Sequence, residues 1–350
     1  MLQDDAPAHA GALAELQGLR NAAASISAAS EAARDALLRY YAQTTLVAGK
    51  LPVSDAGGAG ARVVFTWTDS LRARKQFGHA CWPFEQANVL YNLASVESQL
   101  AAATPRDTPG GIETAGRRFC AAAGILAHVR DVPLARGAAV SSLGGAAALP
   151  VDLSRDGLTA LVALLLAQGQ ACFYEMARAK AMKPETCARL AGHAGDLYRA
   201  ALKALPEPAW AEVDADFPWS HYTRLYAACF DAASFWQMAQ KAGADARDKA
   251  DGYGIEVAWL TVAENACRVA VEGVRAAKGL KPEVRASIDT SSATALLAQV
   301  TARRAEAEND NLKIYLNPVP AARDLPLIPR AGACACACAR VCARVASVPP

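Results

Sequence analysis

Histidine is scarce in this chain, five in 350 residues, and none stands in a pattern that chemistry would need. His79 falls in a loop, His128, His193 and His221 fall in separate helical stretches, and no HExxH, GxSxG or Walker loop occurs. A catalytic centre needs convergent polar groups, so the sequence points to no enzyme and to no cofactor. Charge of one sign is equally lacking. Thirty-six basic residues face 34 acidic ones, a net charge of +2, so no global field draws the chain to nucleic acid or to an anionic membrane. A leader is missing too: MLQDDAPAHAGALAEL carries acidic residues where a signal peptide carries basic ones. Long apolar runs are also absent, since Leu158 to Ala167 is too short to span a bilayer and opens after Arg155 and Asp156. The expectation is a protein of the cytosol. Extended segments are rare as well: Arg62 to Trp67 (RVVFTW), rich in β-branched and aromatic residues after the glycine-rich turn Asp55 to Gly60, is the one convincing case. One or two short strands near the N-terminus are expected.

What is abundant is alanine within helical patterns. Hydrophobic residues make up 53% of the chain, ample for a packed core, and alanine loses no side-chain entropy in a helix. Leu158, Leu161, Leu165, Cys172 and Met176 recur at three- and four-residue steps and mark the buried stripe of a helix from about Asp156 to Met182. Lys183-Pro184 breaks it. A second helix follows from about Glu185 to Leu205, closed by Pro206 and Pro208, and so short a break predicts an antiparallel hairpin. Pro83 to Ala103, Gly111 to Val129, Trp219 to Ala242 and Tyr253 to Gly279 add four more helices. Ala163, Ala167, Gly169, Ala171, Ala188, Ala191 and Ala194 are small enough for neighbouring helices to approach closely, although no strict repeat period is present. Cys81, Cys120, Cys172, Cys187, Cys229 and Cys267 sit singly in these patterns, as reduced, buried thiols do.

Six stretches, taken in order, carry a more specific signal: Phe65 to Leu71 (FTWTDSL), Phe84 to Leu100 (FEQANVLYNLASVESQL), Gly111 to Leu126 (GIETAGRRFCAAAGIL), Asp152 to Ala177 (DLSRDGLTALVALLLAQGQACFYEMA), Tyr253 to Leu260 (YGIEVAWL) and Asn309 to Pro320 (NDNLKIYLNPVP). Their order and spacing resemble the Bro-one domain family, the N-terminal module of ALIX and related endosomal-sorting adaptors. The resemblance implies a mainly α fold: an elongated, curved helical domain with tetratricopeptide-like hairpins and a short N-terminal β element. It implies a helical segment over residues 1–36, shorter than usual for the family, and the domain itself over 37–330, while composition marks a low-complexity Cys/Ala tail over 331–350, expected to be disordered.

By the same resemblance the chain binds proteins and catalyses nothing. Phe173, Thr186 and Leu190 match a hydrophobic patch that takes the C-terminal helix of an ESCRT-III subunit, the four-type charged multivesicular body protein, a helix-in-groove contact in support of multivesicular-body formation. Recruitment to endosomes follows, with membrane association indirect. The residues themselves agree in part: Phe173 lies one position from the buried stripe, on the flank with Gln170, and Thr186 and Leu190 are four apart on one face. Leu190 equally fits an apolar stripe with Cys187, Ala194 and Leu197, so a core role stays open. Two positions depart from the pattern: Thr186 replaces a larger aliphatic residue, and Pro109 falls where ALIX carries an acidic one. Tyr315 matches a tyrosine that is a phosphosite in some members, against the reading that it is a buried structural residue. A signalling or pH-response scaffold of the same family, binding a different peptide, is the alternative function.

The tail differs in kind. Cys334, Cys336, Cys338 and Cys342 give CxCxCxxxC, a spacing of no zinc-finger class, so no metal site is assigned. Soft-metal ligation, palmitoylation and a neutral extension remain its three readings.

Overall fold

The computed structural model describes residues 9–53, 63–72, 75–132, 149–204, 213–214, 218–277 and 282–332. Its helices are α1 (Ala10–Ala24), α2 (Glu31–Ala48), α3 (Trp82–Ala103), α4 (Pro109–Asp131), α5 (Arg155–Ala179), α6 (Pro184–Ala204), α7 (Trp219–Lys249), α8 (Tyr253–Arg275), α9 (Pro282–Ser287) and α10 (Ser291–Asp310), with strands β1 (Phe65–Thr68) and β2 (Gln76–His79). The fold is mainly α with one small sheet. It divides into two compact units, residues up to 105 with 117–165, and 106–116 with 166 onward, so that α4 and α5 are shared between them.

In the first unit α2 begins where Ser30 Oγ accepts from the Ala33 N–H at 3.0 Å, an N-cap that satisfies one of the orphan donors of the first turn. The helix buries Leu37, Tyr40 and Tyr41, each worth about 1.5–3 kcal/mol of burial. Strands β1 and β2 pair antiparallel, from Phe65 opposite His79 to Thr68 opposite Gln76. His79 is therefore a strand residue, not a loop one; it is buried edge-on against Phe84, with ring centroids 4.5 Å apart. Beneath the hairpin lies Glu85, with none of its surface exposed, accepting from Trp67 Nε1 at 2.6 Å, Tyr40 OH at 2.7 Å and Arg20 Nε at 3.1 Å. One carboxylate thus ties α1, α2, β1 and α3 together, with three donors in the place of water.

The Asp69-Ser70 pair that ends the FTWTDSL stretch makes a second buried polar tie. Asp69 accepts from the Leu71 and Arg72 N–H groups, from Arg72 Nε and, across the unit, from the Val151 N–H at 2.9 Å. Reciprocally, Asp152 Oδ2 accepts from the Ser70 N–H at 2.7 Å. Asp152 Oδ1 has no partner, and burial, reinforced by the nearby Asp69 charge, raises the Asp152 carboxyl to about 6.

In the second unit α5 ends in a Schellman motif. The Met182 N–H reaches the Ala177 carbonyl and the Ala181 N–H reaches the Arg178 carbonyl, both at 2.9 Å, with Ala181 in the left-handed region at φ 48°. Pro184 opens α6 two residues on, which gives the hairpin the sequence predicts. Next, α7 packs against α6 and α8, and α8 against α10. Small residues permit this closeness: the Ser234 hydroxyl donates to the Ala188 carbonyl at 2.8 Å, and a Cβ on Gly195 would stand 2.9 Å from Asp231 Oδ1. The core joins Ala232, Ala239, Trp259, Leu260, Ala263 and Val300. Helix α7 runs seven residues past Ala242 because Gly243 fits inside it, while α8 stops at Arg275, four residues short of the expected end.

After α10 a π-helical turn (Asn311–Tyr315) leads to an irregular strap. Asn311 and Asn317 bond each other reciprocally, at 2.9 and 3.1 Å, and Asn317 Oδ1 also accepts from the Gly252 and Tyr253 N–H groups at the start of α8. Further on, Leu325 and Ile328 pack on the core, Arg330 Nε pairs with Asp196 at 2.7 Å, and the Ala331 N–H reaches the Arg189 carbonyl. Asn311 and Asn317 of NDNLKIYLNPVP are therefore backbone ties.

By length and composition α5 is apolar enough to cross a bilayer, contrary to the expectation drawn from its central leucines, yet 67% of its most apolar window is buried inside the protein. That is how the core helix of a folded domain reads.

Candidate protein-binding site

Each of the three residues matched to a binding patch immediately precedes a residue of one buried cluster. Tyr174, Ala177, Cys187, Ala191 and Ala233 form that cluster, and Phe173, Thr186 and Leu190 stand just before Tyr174, Cys187 and Ala191. A one-residue step turns a side chain by about 100° about the helix axis, so all three leave the cluster on its flank. All three are half-buried. Leu190 also packs against the cluster, so it belongs to the core and to the surface at once.

What fixes the level of α5 against α6 is Gln170. Its side chain is wholly buried, and Nε2 donates to the Leu190 carbonyl at 3.2 Å and to the Ala331 carbonyl at 2.8 Å. Placing Gln170 on the exposed flank is thus corrected: an amide in the apolar run LLLAQGQACF is affordable only with partners, and it has two backbone carbonyls. The stripe shifts accordingly. Leu158, Leu165 and Cys172 are buried as expected, Leu161 and Met176 only half so, and Tyr174 and Ala177 take the inward positions. Tyr174 wins because the ring of Phe230 meets it edge-on at 6.0 Å and the Arg178 guanidinium lies over its face.

The chemistry available here is that of contact. Burial pushes the Cys172 thiol up to about 11 and raises Cys187 as well, so neither is a thiolate nucleophile at neutral pH. Glu175 is raised by burial and pairs with Arg106 at 2.9 Å, a partly exposed bridge of small energetic weight. Among the described residues no three His, Cys, Asp or Glu side chains gather where a metal could be held.

Tyr315 is not buried. It is 39% exposed and stacked on Tyr253, with ring centroids 3.4 Å apart and planes 5° from parallel, so the buried structural reading is corrected. Cys334, Cys336, Cys338 and Cys342 lie outside the described residues. Of the helical cysteines, Cys81, Cys172, Cys187, Cys229 and Cys267 are free thiols, whereas Cys120 is disulfide-bonded, which corrects the reduced state expected for it.

Comparison with known proteins extends over almost the same residues. The family model for the BRO1-like domain matches residues 2–340. The pH-response regulator protein palA/RIM20 of Emericella nidulans is 34% identical over 318 residues, which cover 89% of this chain and 34% of that protein. Vacuolar protein-sorting protein BRO1 of Gibberella zeae is 30% identical, over 93% of this chain and 31% of its own length, and ALG-2 interacting protein X of Dictyostelium discoideum is 26% identical, over 91% and 37%. The chain spans about a third of the length of these relatives. In shape it matches a solved ALIX BRO1 CHMP4C complex at a TM-score of 0.70 and 24% identity, covering 91% of this chain and 82% of the other. It also matches a structure described as the basis for endosomal targeting by the Bro1 domain, at 0.67 and 16%, covering 95% and 85%. At such identities these two establish the fold.

Proposed function

The chain belongs to the BRO1-like domain family, and from that premise we propose that it is a non-enzymatic adaptor of endosomal sorting whose α5–α6 hairpin binds the C-terminal helix of an ESCRT-III subunit. The observation that carries this reading is the placement of Phe173, Thr186 and Leu190, each half-buried and each one residue off the same buried cluster. Such a face is firm, because the core holds it, and apolar enough for an amphipathic helix to gain from covering it. The similarity to a BRO1 domain solved in complex with CHMP4C supports the choice of partner. The adaptor would be cytoplasmic and recruited to endosomes through its partner, in support of multivesicular-body formation.

Calorimetry with that helix as a peptide tests the reading. Phe173→Asp forces a carboxylate into a contact that must be dry, so affinity should fall at least tenfold, a loss of about 2 kcal/mol or more. Thr186→Ile should tighten binding by about 1 kcal/mol through added apolar area. Phe173→Asp is the cleaner variant, since Leu190→Asp would also injure the cluster that Leu190 packs against. If Phe173→Asp keeps its melting temperature and also its affinity, the helix does not bind here. A second reading, a pH-response scaffold with another peptide ligand, rests on the 34% identity to palA/RIM20. It predicts that the ESCRT-III helix fails to bind even the unaltered chain.

A further inference from the structure

A second candidate site lies away from the α5–α6 hairpin, where α7, α8 and α10 enclose a cavity of about 380 Å³. Its floor is apolar, made by Ala239 and Leu260, both buried. One wall holds the buried carboxylate of Glu256, which lies so close to α7 that a Cβ on Gly243 would come within 2.6 Å of it. Arg303 neutralises that carboxylate from α10 at 2.8 Å and spends its remaining arm on Glu306 at 3.3 Å. The rim is different. Trp236, Gln240 and Arg247 line the opening, and no side chain of the three has a hydrogen bond or an ion pair among the described residues. Arg303 is taken up by Glu256 and Glu306, so of the two lining arginines Arg247 alone, among the described residues, has no carboxylate partner. The rings of Tyr253 and Tyr315 are its neighbours, and Arg247 is close enough to act on the Tyr253 hydroxyl.

Three unspent donors around an apolar floor suit a ligand with a carboxylate and a short aliphatic neighbour. We propose that this cavity binds an acidic segment of a partner protein, with a Glu or Asp carboxylate on Arg247 and Gln240 and an adjacent apolar side chain against Ala239 and Leu260. Trp236, with its ring in the wall and its N–H unspent, would close the contact as amphipathic indoles do at interfaces. A lone arginine that merely complements the C-terminal dipole of α7 would leave Trp236 and Gln240 without a role, and this difference is measurable.

The test follows the indole N–H resonance of Trp236 in the ¹⁵N-labelled full chain, assigned by its loss in Trp236→Phe. Three probes are titrated: acetylated and amidated Leu-Glu-Leu, its Leu-Gln-Leu counterpart, and inorganic phosphate. The proposal expects a saturable shift with Leu-Glu-Leu alone. Added salt should weaken it, Arg247→Ala should weaken it at least fivefold with melting unchanged, and Arg247→Lys should recover part of it. No shift up to about 10 mM peptide overturns the site. An equal response to Leu-Gln-Leu overturns the role of charge, and an equal response to phosphate replaces the peptide with a general anion.

Discussion

At the scale of single residues, the chain pays for its buried charges in two ways. Glu85 gathers donors from Arg20, Tyr40 and Trp67. Asp152 has the Ser70 N–H on one oxygen and nothing on the other, with Asp69 close by, and its carboxyl rises to about 6. The folded state therefore holds that proton more tightly than the unfolded chain does. Stability from this group is complete below the unfolded value near 3.8 and is lost as pH rises through about 6. The full loss is of order 3 kcal/mol. Asp152→Asn keeps a carbonyl for Ser70 and removes the titration, so urea unfolding of this variant should lack the fall in stability that the parent shows between about pH 4 and 6. Parallel profiles would mean that Asp152 is solvated when folded. Neither role was legible in the sequence: the first Asp of DLSRDGL and the Glu of FEQANVL are polar letters, and Ser70 for the one and Arg20 and Tyr40 for the other sit dozens of residues away.

At the scale of elements, periodicity located the helices well and the faces less well. The α5–α6 hairpin was readable from Lys183-Pro184, because a proline ends one helix and pre-organises the next. Gln170, expected on the flank of α5, lies inside, and Met176, expected in the stripe, is only half-buried, since a spacing pattern cannot tell which polar side chain finds carbonyls and which thioether is displaced by a tyrosine. The β2 strand escaped notice because QFGH has little of the β-branched enrichment that marks RVVFTW. Gly243 resembled a helix end and is instead a close approach, where Glu256 occupies the space of a side chain. Gly243→Ala should accordingly destabilise by about 1–2 kcal/mol, despite the gain of up to 1 kcal/mol that alanine brings to a helix interior. In a Glu256→Ala background the same change should stabilise. Thermal melts of the four-member cycle decide, and the same sign in both backgrounds would refute the steric account.

At the scale of the molecule, six ordered blocks identified the family, and the helical fold with its single small sheet follows. The proposed binding face rests on that resemblance; the residues alone left Leu190 open between core and surface, and it packs on the cluster while half-exposed. The strap was not legible at all. Its asparagines, prolines and lone aliphatics carry no period, yet it covers core from Leu325 to Ile328 and ties down through Arg330 and Ala331. Ending the chain after Asp324 should cost about 3 kcal/mol, from two half-buried aliphatic side chains and the ties to Asp196, Arg189 and Gln170. Chemical denaturation beside the full chain would show it, and an unchanged midpoint would mean the strap is an ornament.

The bond from Gln170 to the Ala331 carbonyl spans 161 residues, and its consequence lies in time. A ribosome adds roughly 5–20 residues each second, so about 8–30 s separate the synthesis of the donor from that of its acceptor. Through that interval the α5–α6 hairpin is complete in sequence but lacks its last tie, with Gln170 half-satisfied and α6 uncovered beside Arg189. The hairpin thus waits on a segment made much later before its last tie can form, a window in which a chaperone would meet that face first.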